Sequence, residues 1–201
     1  MKIDMHVHTR CYSACSNIKP HLLIEKAQEV GLDGVVITEH NVCWPESEKE
    51  KLRAQSQGLK LFFGVEVNVR QGEHYLVYIK DSIELPSIYE DMGEEELFHK
   101  VHSVGGAIIA AHPFRFNREF ERKFLRHYPV DGLEVMSTNI NNKDTIRTSD
   151  LAEKTNLCRI ASSDAHSLKA IGRYYTIFEE KINSESDLIR AIKNKKCKPY
   201  L

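Results

Sequence analysis

The sequence predicts an α/β fold, with strands and helices alternating around a mainly parallel sheet. Three observations predict it. Segments with strand and helix periodicity take turns along almost the whole chain. Several strand-like runs are continuously apolar, such as Val35-Val36-Ile37 and Ala107 to Ala111, as expected where both faces are covered. These runs end in short polar groups rich in histidine and acid, which is where α/β barrels carry their active-site residues.

In order, Asp4-Met5-His6-Val7-His8 alternates and reads as a strand. Alternation places Asp4, His6 and His8 on one face and Ile3, Met5 and Val7 on the other. A polar loop, Arg10 to Lys19, leads to a helix that Pro20 opens and Gly31 ends. Gly34 to Thr38 is a strand running into Glu39-His40-Asn41, and Glu46 to Gln57 is a charged, exposed helix. Leu61 to Val69 and His74 to Lys80 are strands that can pair through a turn at Gln71-Gly72. Asp81 to Met92 is a polar connection with Pro86, and Glu94 to Val104 a helix broken by Gly105-Gly106. Ala107 to Ala111 ends in His112-Pro113-Phe114-Arg115, and Arg118 to His127 is helical. Gly132 to Met136 is a strand, Asp144 to Thr155 a helix, and Cys158 to Ser162 a strand ending in Ser163-Asp164-Ala165-His166. Tyr175 to Phe178 is a short strand, and Glu185 to Asn194 is the closing helix.

A length of 201 residues suits a single compact domain, 1–201, and no linker or repeat divides it. Apolar residues at 41% suffice for a core. A formal net charge of -1 gives no global field for nucleic acid or membranes. Stable nucleic-acid binding is not indicated, because the tyrosines form no stacking platform beside a basic stripe. No apolar run has the length of a membrane span and no signal-peptide core is present, so a cytoplasmic location is expected. Five cysteines without a CxxC pair read as free thiols. Ten histidines are the compositional oddity.

Two imidazoles two residues apart on one strand face can bind one metal ion, and Asp4 beside them suits the outer role of accepting a ring N–H. The competing reading is a surface strand with two chance histidines. The recurrence of such residues at later strand ends favours metal. His40 alone would read as a hydrogen-bonded structural histidine. Glu66 lies inside Phe62-Phe63-Gly64-Val65-Glu66-Val67, where an ionised carboxylate needs a partner. His74 is weaker, since strand starts are often exposed. At His112, Pro113 is expected to hold the preceding residue extended. Asp164 and His166 repeat the spacing of His6 and His8. Glu134 reads as supporting or structural. Arg115, just behind His112, suits a two-pronged phosphate clamp or a surface ion pair. His21, His99, His102 and His127 read as solvated helix residues.

Taken together, Asp4-Met5-His6-Val7-His8, Thr38-Glu39-His40-Asn41, Glu66, Gly72-Glu73-His74, His112-Pro113 and Ser163-Asp164-Ala165-His166 resemble the ordered motifs of the PHP (polymerase and histidinol phosphatase) family. The resemblance spans nearly the whole chain. It implies a distorted (β/α)7 TIM-like barrel holding two or three divalent metal ions. By motif, it implies that His6, His8, Glu66 and Asp164 hold one ion, that Glu66 bridges to a second held by His74 and His112, and that His40 and His166 hold a third. The chain departs from the family at Glu39, where an aspartate is usual, and in Cys11 to Ser16, where the family often supplies an aspartate ligand. Ser13 or Cys15 stands in that place, or the third site is weak.

The expected activity is metal-dependent hydrolysis of a phosphate monoester or diester of a small molecule or nucleotide, with zinc, manganese or iron equally suited to the donor set. Arg115 and His166 are the expected catalytic residues, Arg115 at the phosphoryl oxygens, with Arg10 a further candidate there. A third metal at His40 and His166, or one of those imidazoles, would act at the leaving oxygen. Two readings compete: an amide or lactone hydrolase of a related barrel type, and a non-catalytic metal-binding relic. The intact donor set argues against the relic. Oligomeric state is not legible.

Overall fold

The computed structural model describes residues 1–80, 92–115, 120 and 129–200, and every structural statement concerns these. The strands are β1 (Lys2–Val7), β2 (Gly34–His40), β3 (Lys60–Asn68), β4 (His74–Tyr78), β5 (Ala107–Ala110), β6 (Gly132–Met136), β7 (Cys158–Ala161), β8 (Tyr175–Phe178) and β9 (Cys197–Tyr200). The helices are α1 (Pro20–Glu29), α2 (Glu46–Ala54), α3 (Glu94–Ser103), α4 (Asn142–Lys154) and α5 (Glu185–Lys193). The expected helix 118–127, and residues 81–91 of the polar connection, lie outside the described residues.

All nine strands join one sheet in the order β7-β6-β5-β4-β3-β2-β1-β8-β9. The sheet curls until its ends nearly meet. Just beyond β7, Ala165 pairs with Val7, with His8 N–H donating to Ala165 O at 3.0 Å and Ala165 N–H to His6 O at 3.3 Å. Thr176 Oγ1 donates to Ala161 O at 2.8 Å, tying β8 to β7. The thiols of Cys158 and Cys197 touch at 3.0 Å across β7 and β9, and all five cysteines are free. The result is a mixed α/β fold with a nearly closed, barrel-shaped sheet.

The expectation of a mainly parallel sheet is corrected. The pairs β1–β2, β2–β3, β5–β6 and β6–β7 are parallel, while β3–β4, β4–β5, β1–β8 and β8–β9 are antiparallel. The reason is local. A tight turn with Gly72 at φ 90° joins β3 to β4 without a crossover helix, so β4 must run backwards. Strand β9 was not expected. It is four residues long, with Pro199 on it, and lies at the sheet edge, where a missing N–H is tolerated.

A second correction concerns β1. Its pairing with β2 is irregular between Asp4 and Val7, which breaks the simple alternation. Ile3 and Met5 pack with Val36, Phe62, Leu76, Ile109 and Ile160, the apolar floor of the barrel. Val7 instead packs with Leu23, Val35 and Ile37 on the α1 side. The irregularity therefore lets Ile3 and Met5 contribute to the floor while His6 and His8 still turn toward the polar mouth above it. Helix α5, capped by Ser184, closes the floor with Leu188, Ile189 and Ile192. Each such buried aliphatic side chain contributes about 1.5–3 kcal/mol. Pro20 opens α1, and Gly31 follows it at φ 76°. No helix of the described residues is long and apolar enough to cross a membrane.

Gly64 lies between Phe62 and Glu66, and a Cβ there would meet Val77 O at 2.8 Å and the Tyr78 ring at 2.9 Å. Tyr78 in turn donates its hydroxyl to Met5 O at 3.0 Å across the floor. Gly64→Ala is expected to destabilise the protein by about 1–3 kcal/mol in urea unfolding. Ile146→Ala, on a residue 63% exposed, should stay within about 0.5 kcal/mol.

Candidate metal centre

The mouth of the barrel is where strand ends deliver their polar residues. His6 and His8 come from β1 and the residue after it, Glu39 and His40 from β2, Glu66 from β3, Glu134 from β6. His112 follows β5, and Asp164 and His166 follow β7. His74 begins β4, but because β4 is antiparallel its start lies opposite Asn68, at the same end as the others. That reversal brings in a residue whose position at a strand start argued for exposure.

Glu66 is the hub. One carboxylate oxygen, Oε1, lies 2.8 Å from His74 Nδ1 and 2.9 Å from His112 Nε2. The other, Oε2, lies 3.2 Å from His6 Nε2, 3.1 Å from His8 Nε2 and 3.1 Å from His40 Nδ1. Asp164 Oδ1 is 3.5 Å from His6 Nε2 and 3.4 Å from His8 Nε2. Three overlapping groups have donors close enough to share an ion: His6, His8, Glu66 and Asp164; Glu66, His74 and His112; His8, His40 and His166. The structure thus brings together all eight expected metal-site residues.

The surrounding contacts aim the nitrogen lone pairs inward. His6 Nδ1 lies 3.1 Å from Glu134 Oε1, which also receives the Ser162 hydroxyl, while His112 N–H donates to Glu134 Oε2 at 2.7 Å. A carboxylate can only accept, so the His6 proton belongs on Nδ1 and its Nε2 faces the cluster. His8 Nδ1 lies 3.3 Å from Ser13 Oγ, and that hydroxyl donates to Glu39 Oε2 at 2.5 Å. Ser13 must then accept from His8, so His8 Nε2 is also a lone pair. The two Nε2 atoms are 3.0 Å apart and point at the same carboxylates. Acceptors crowd together in this way only around a positive charge. Three buried atoms here, His40 Nδ1, Glu66 Oε2 and Asp164 Oδ1, make no hydrogen bond among the described residues. The donor set and these orphaned atoms fit divalent cations.

The protonation pattern agrees. Burial raises the cost of ionising Glu66, but His6, His112 and His40 outweigh it and hold its carboxyl well below the usual range. Asp164 is likewise held down, burial being overcome by His6 and His8. Burial opposes charge on His6, yet Asp164, Glu66 and Glu134 raise its pKa well above that of free imidazole, so its Nε2 holds a proton that a bound cation would displace. Burial lowers His74 and His166, which favours the neutral, ligating form.

Several expectations are corrected. Asp4 does not meet a histidine ring. It accepts Ser163 N–H at 2.8 Å and Gly172 N–H at 3.1 Å, bracing the loop after β7, and burial pushes its pKa up to about 6. Glu134 fills the role foreseen for it. Its signal in the sequence was the one that marked Glu66, a carboxylate within an apolar strand. His112 is not held extended by Pro113: its φ is 30°, and Asp164 has φ 49°. Such backbone costs about 1–3 kcal/mol each and is held here by the Glu134 contact and the loop beyond β7. Ser13 meets His8 directly and is held there by Glu39, and Cys15 is exposed and in none of the metal groups. Glu39 itself is fully buried and accepts from Thr9, Ser13 and Trp44 Nε1.

Arg115 is partly exposed at the rim, its Nη1 3.6 Å from Asp164 Oδ2, and Arg10 is exposed. His21 and His99 are exposed as expected, but His102 is half-buried, 3.3 Å from Asp131. His127 lies outside the described residues.

Residues 147–197 match the PHP-associated family model, PHP_C. A relative from Methanocaldococcus jannaschii, an uncharacterized protein, is 27% identical over 147 residues, covering 68% of this chain and 82% of its own length. A solved two-domain protein from Bacteroides vulgatus, containing a predicted PHP-like metal-dependent phosphoesterase, superposes with a TM-score of 0.75 at 20% identity. That match covers 100% of this chain, which spans 64% of the length of the two-domain protein. An amidohydrolase from Chromobacterium violaceum, solved with bound sulfate and no metal, gives a TM-score of 0.73 at 16% identity over 96% of this chain and 97% of its own.

Glu134→Ala would leave His6 Nδ1 and His112 N–H without their acceptor. Manganese affinity, read by chelator competition, is expected to fall about 10–100-fold while far-UV circular dichroism is unchanged.

Proposed function

With a PHP domain family supported by the PHP-associated match and the PHP-like neighbour as the premise, we propose that this chain is a metal-dependent phosphoesterase acting on a small-molecule or nucleotide phosphate ester. One observation carries the proposal: eight histidines and acids from distant parts of the chain meet in three groups, one of which shares Glu66 with the second and His8 with the third. In this reading His6, His8, Glu66 and Asp164 hold one divalent ion, Glu66, His74 and His112 a second, and His40 and His166, beside His8, a third. Bound cations would supply hydroxide near neutral pH and offset phosphoryl charge.

The chain's own residues do the rest. Arg115, held near Asp164 at the rim, contacts the non-bridging oxygens of the phosphoryl group. His166 Nδ1 lies 3.0 Å from the Asp164 carbonyl, so its proton is engaged there and Nε2 is left as the ligand atom. With its pKa lowered by burial, His166 suits ligation better than proton donation to the leaving oxygen. The single domain 1–201 carries all these groups.

The amide-hydrolase reading has one observation of its own, the amidohydrolase among the fold neighbours. Arg115 separates the two, since a carboxylic ester has no tetrahedral dianion for a guanidinium to clamp. Purified protein supplied with manganese is expected to hydrolyse p-nitrophenyl phosphate or its bis ester, and His8→Ala to lose about 100-fold or more of that rate. Equal rates in both proteins would reject the proposal. Arg115→Ala should cost about 10²–10³ in kcat/KM on the phosphate ester, and far less on p-nitrophenyl acetate.

A further inference from the structure

A cavity of about 330 Å³ adjoins the cluster on the side of α4. Its described lining includes Phe114 and Arg115 from the segment after β5, Asn139 from the segment after β6, and Lys143, Asp144 and Arg147 from α4. Three of these side chains are cationic and one is acidic. The acid is already engaged: Asp144 Oδ2 accepts from Asn141 Nδ2 at 2.6 Å, and Asn141 Oδ1 returns the bond by capping Asp144 N–H at 3.0 Å. Arg147 is held with its guanidinium 3.9 Å above the Phe114 ring, and its Nη1 is 3.8 Å from Asp144 Oδ1, at the outer limit of an ion pair. The ring fixes the cation's position in advance.

Among the described residues no metal-site residue lines the cavity, but one of them, Asp164, touches two residues that do. Asp164 turns Oδ1 toward His6 and His8, while its Oδ2 takes Asn139 Nδ2 at 2.5 Å and faces Arg115 Nη1 at 3.6 Å. A phosphoryl group at the cluster would therefore stand beside Asp164, whose neighbours Asn139 and Arg115 line the cationic space. A partly enclosed pocket of one sign focuses its field on an anion far more than an open surface does.

We propose that this cavity is a subsite for a second anionic group on the substrate, read by Arg147 and Lys143. The substrate class is then phosphate esters whose organic moiety bears a further phosphate or carboxylate. The inference rests on the phosphoesterase reading above and narrows it.

The test compares glucose 1,6-bisphosphate, 6-phosphogluconate and glucose 6-phosphate as substrates of the manganese-loaded protein. At least one of the first two is expected to exceed glucose 6-phosphate by about 10-fold or more in kcat/KM, and which of them does so identifies the second group as phosphate or carboxylate. Arg147→Gln and Lys143→Gln should remove that preference through KM, leaving glucose 6-phosphate turnover within about twofold. Equal kcat/KM for all three, or equal losses on all three in the variants, would overturn the subsite while the phosphoesterase reading stands. If none of these compounds, p-nitrophenyl phosphate or its bis ester is hydrolysed, that reading falls instead. Calorimetric titration with glucose 1,6-bisphosphate then decides the subsite by itself. Binding weakened in Arg147→Gln supports it, and binding equal in both proteins, or absent from both, overturns it.

Discussion

Glu66 is an ionised carboxylate, 1% exposed, in a strand that also gives Phe62 to the apolar floor of the barrel. Alone there, it would cost several kcal/mol and would protonate instead. It stays charged because five imidazoles, from His6, His8, His40, His74 and His112, stand within 3.2 Å of its two oxygens. Each of those rings needs its own reason to face inward. The irregular pairing in β1 and the backward course of β4 answer this requirement for His6, His8 and His74.

The second tier serves the same end. Glu134 fixes a ring and a backbone N–H at once, and Glu39 holds Ser13 against His8 while anchoring Trp44. The left-handed backbone at His112 and Asp164 is tolerated in a loop-end setting that an ordinary residue would avoid. Such rigidity suits a centre that must hold several like charges at fixed separations, because any slack would let the acids part and the histidines take up water.

Much of this was legible in the sequence. The apolar runs of β2, β3 and β5 announced the strands, and the acids and histidines at their ends announced the mouth. Glu66 was legible because an acid amid phenylalanines and valines needs a partner, whether a metal ion or a salt bridge. What escaped depends on geometry that no local pattern encodes. Alternation alone put Asp4 beside His6 and His8, and only the register with β2 reveals the break after it. His74 looked peripheral until the direction of β4 was known. Pro113 suggested an extended His112, but the hydrogen bond its N–H donates to Glu134 prevailed over that steric preference. Strand β9, short and proline-bearing, has too few apolar residues to show a period.

The barrel is sealed by bonds between its first strand and residues far along the chain: Ser163 N–H donates to Asp4 across a separation of 159 positions. During translation, at about 5–20 residues per second, the first two histidines emerge roughly 8–30 s before the aspartate that completes their group. The nascent chain must carry a half-built ring of imidazoles and acids through that interval. A chain cut short before Asp164 would lack the acid that completes the group of His6, His8 and Glu66.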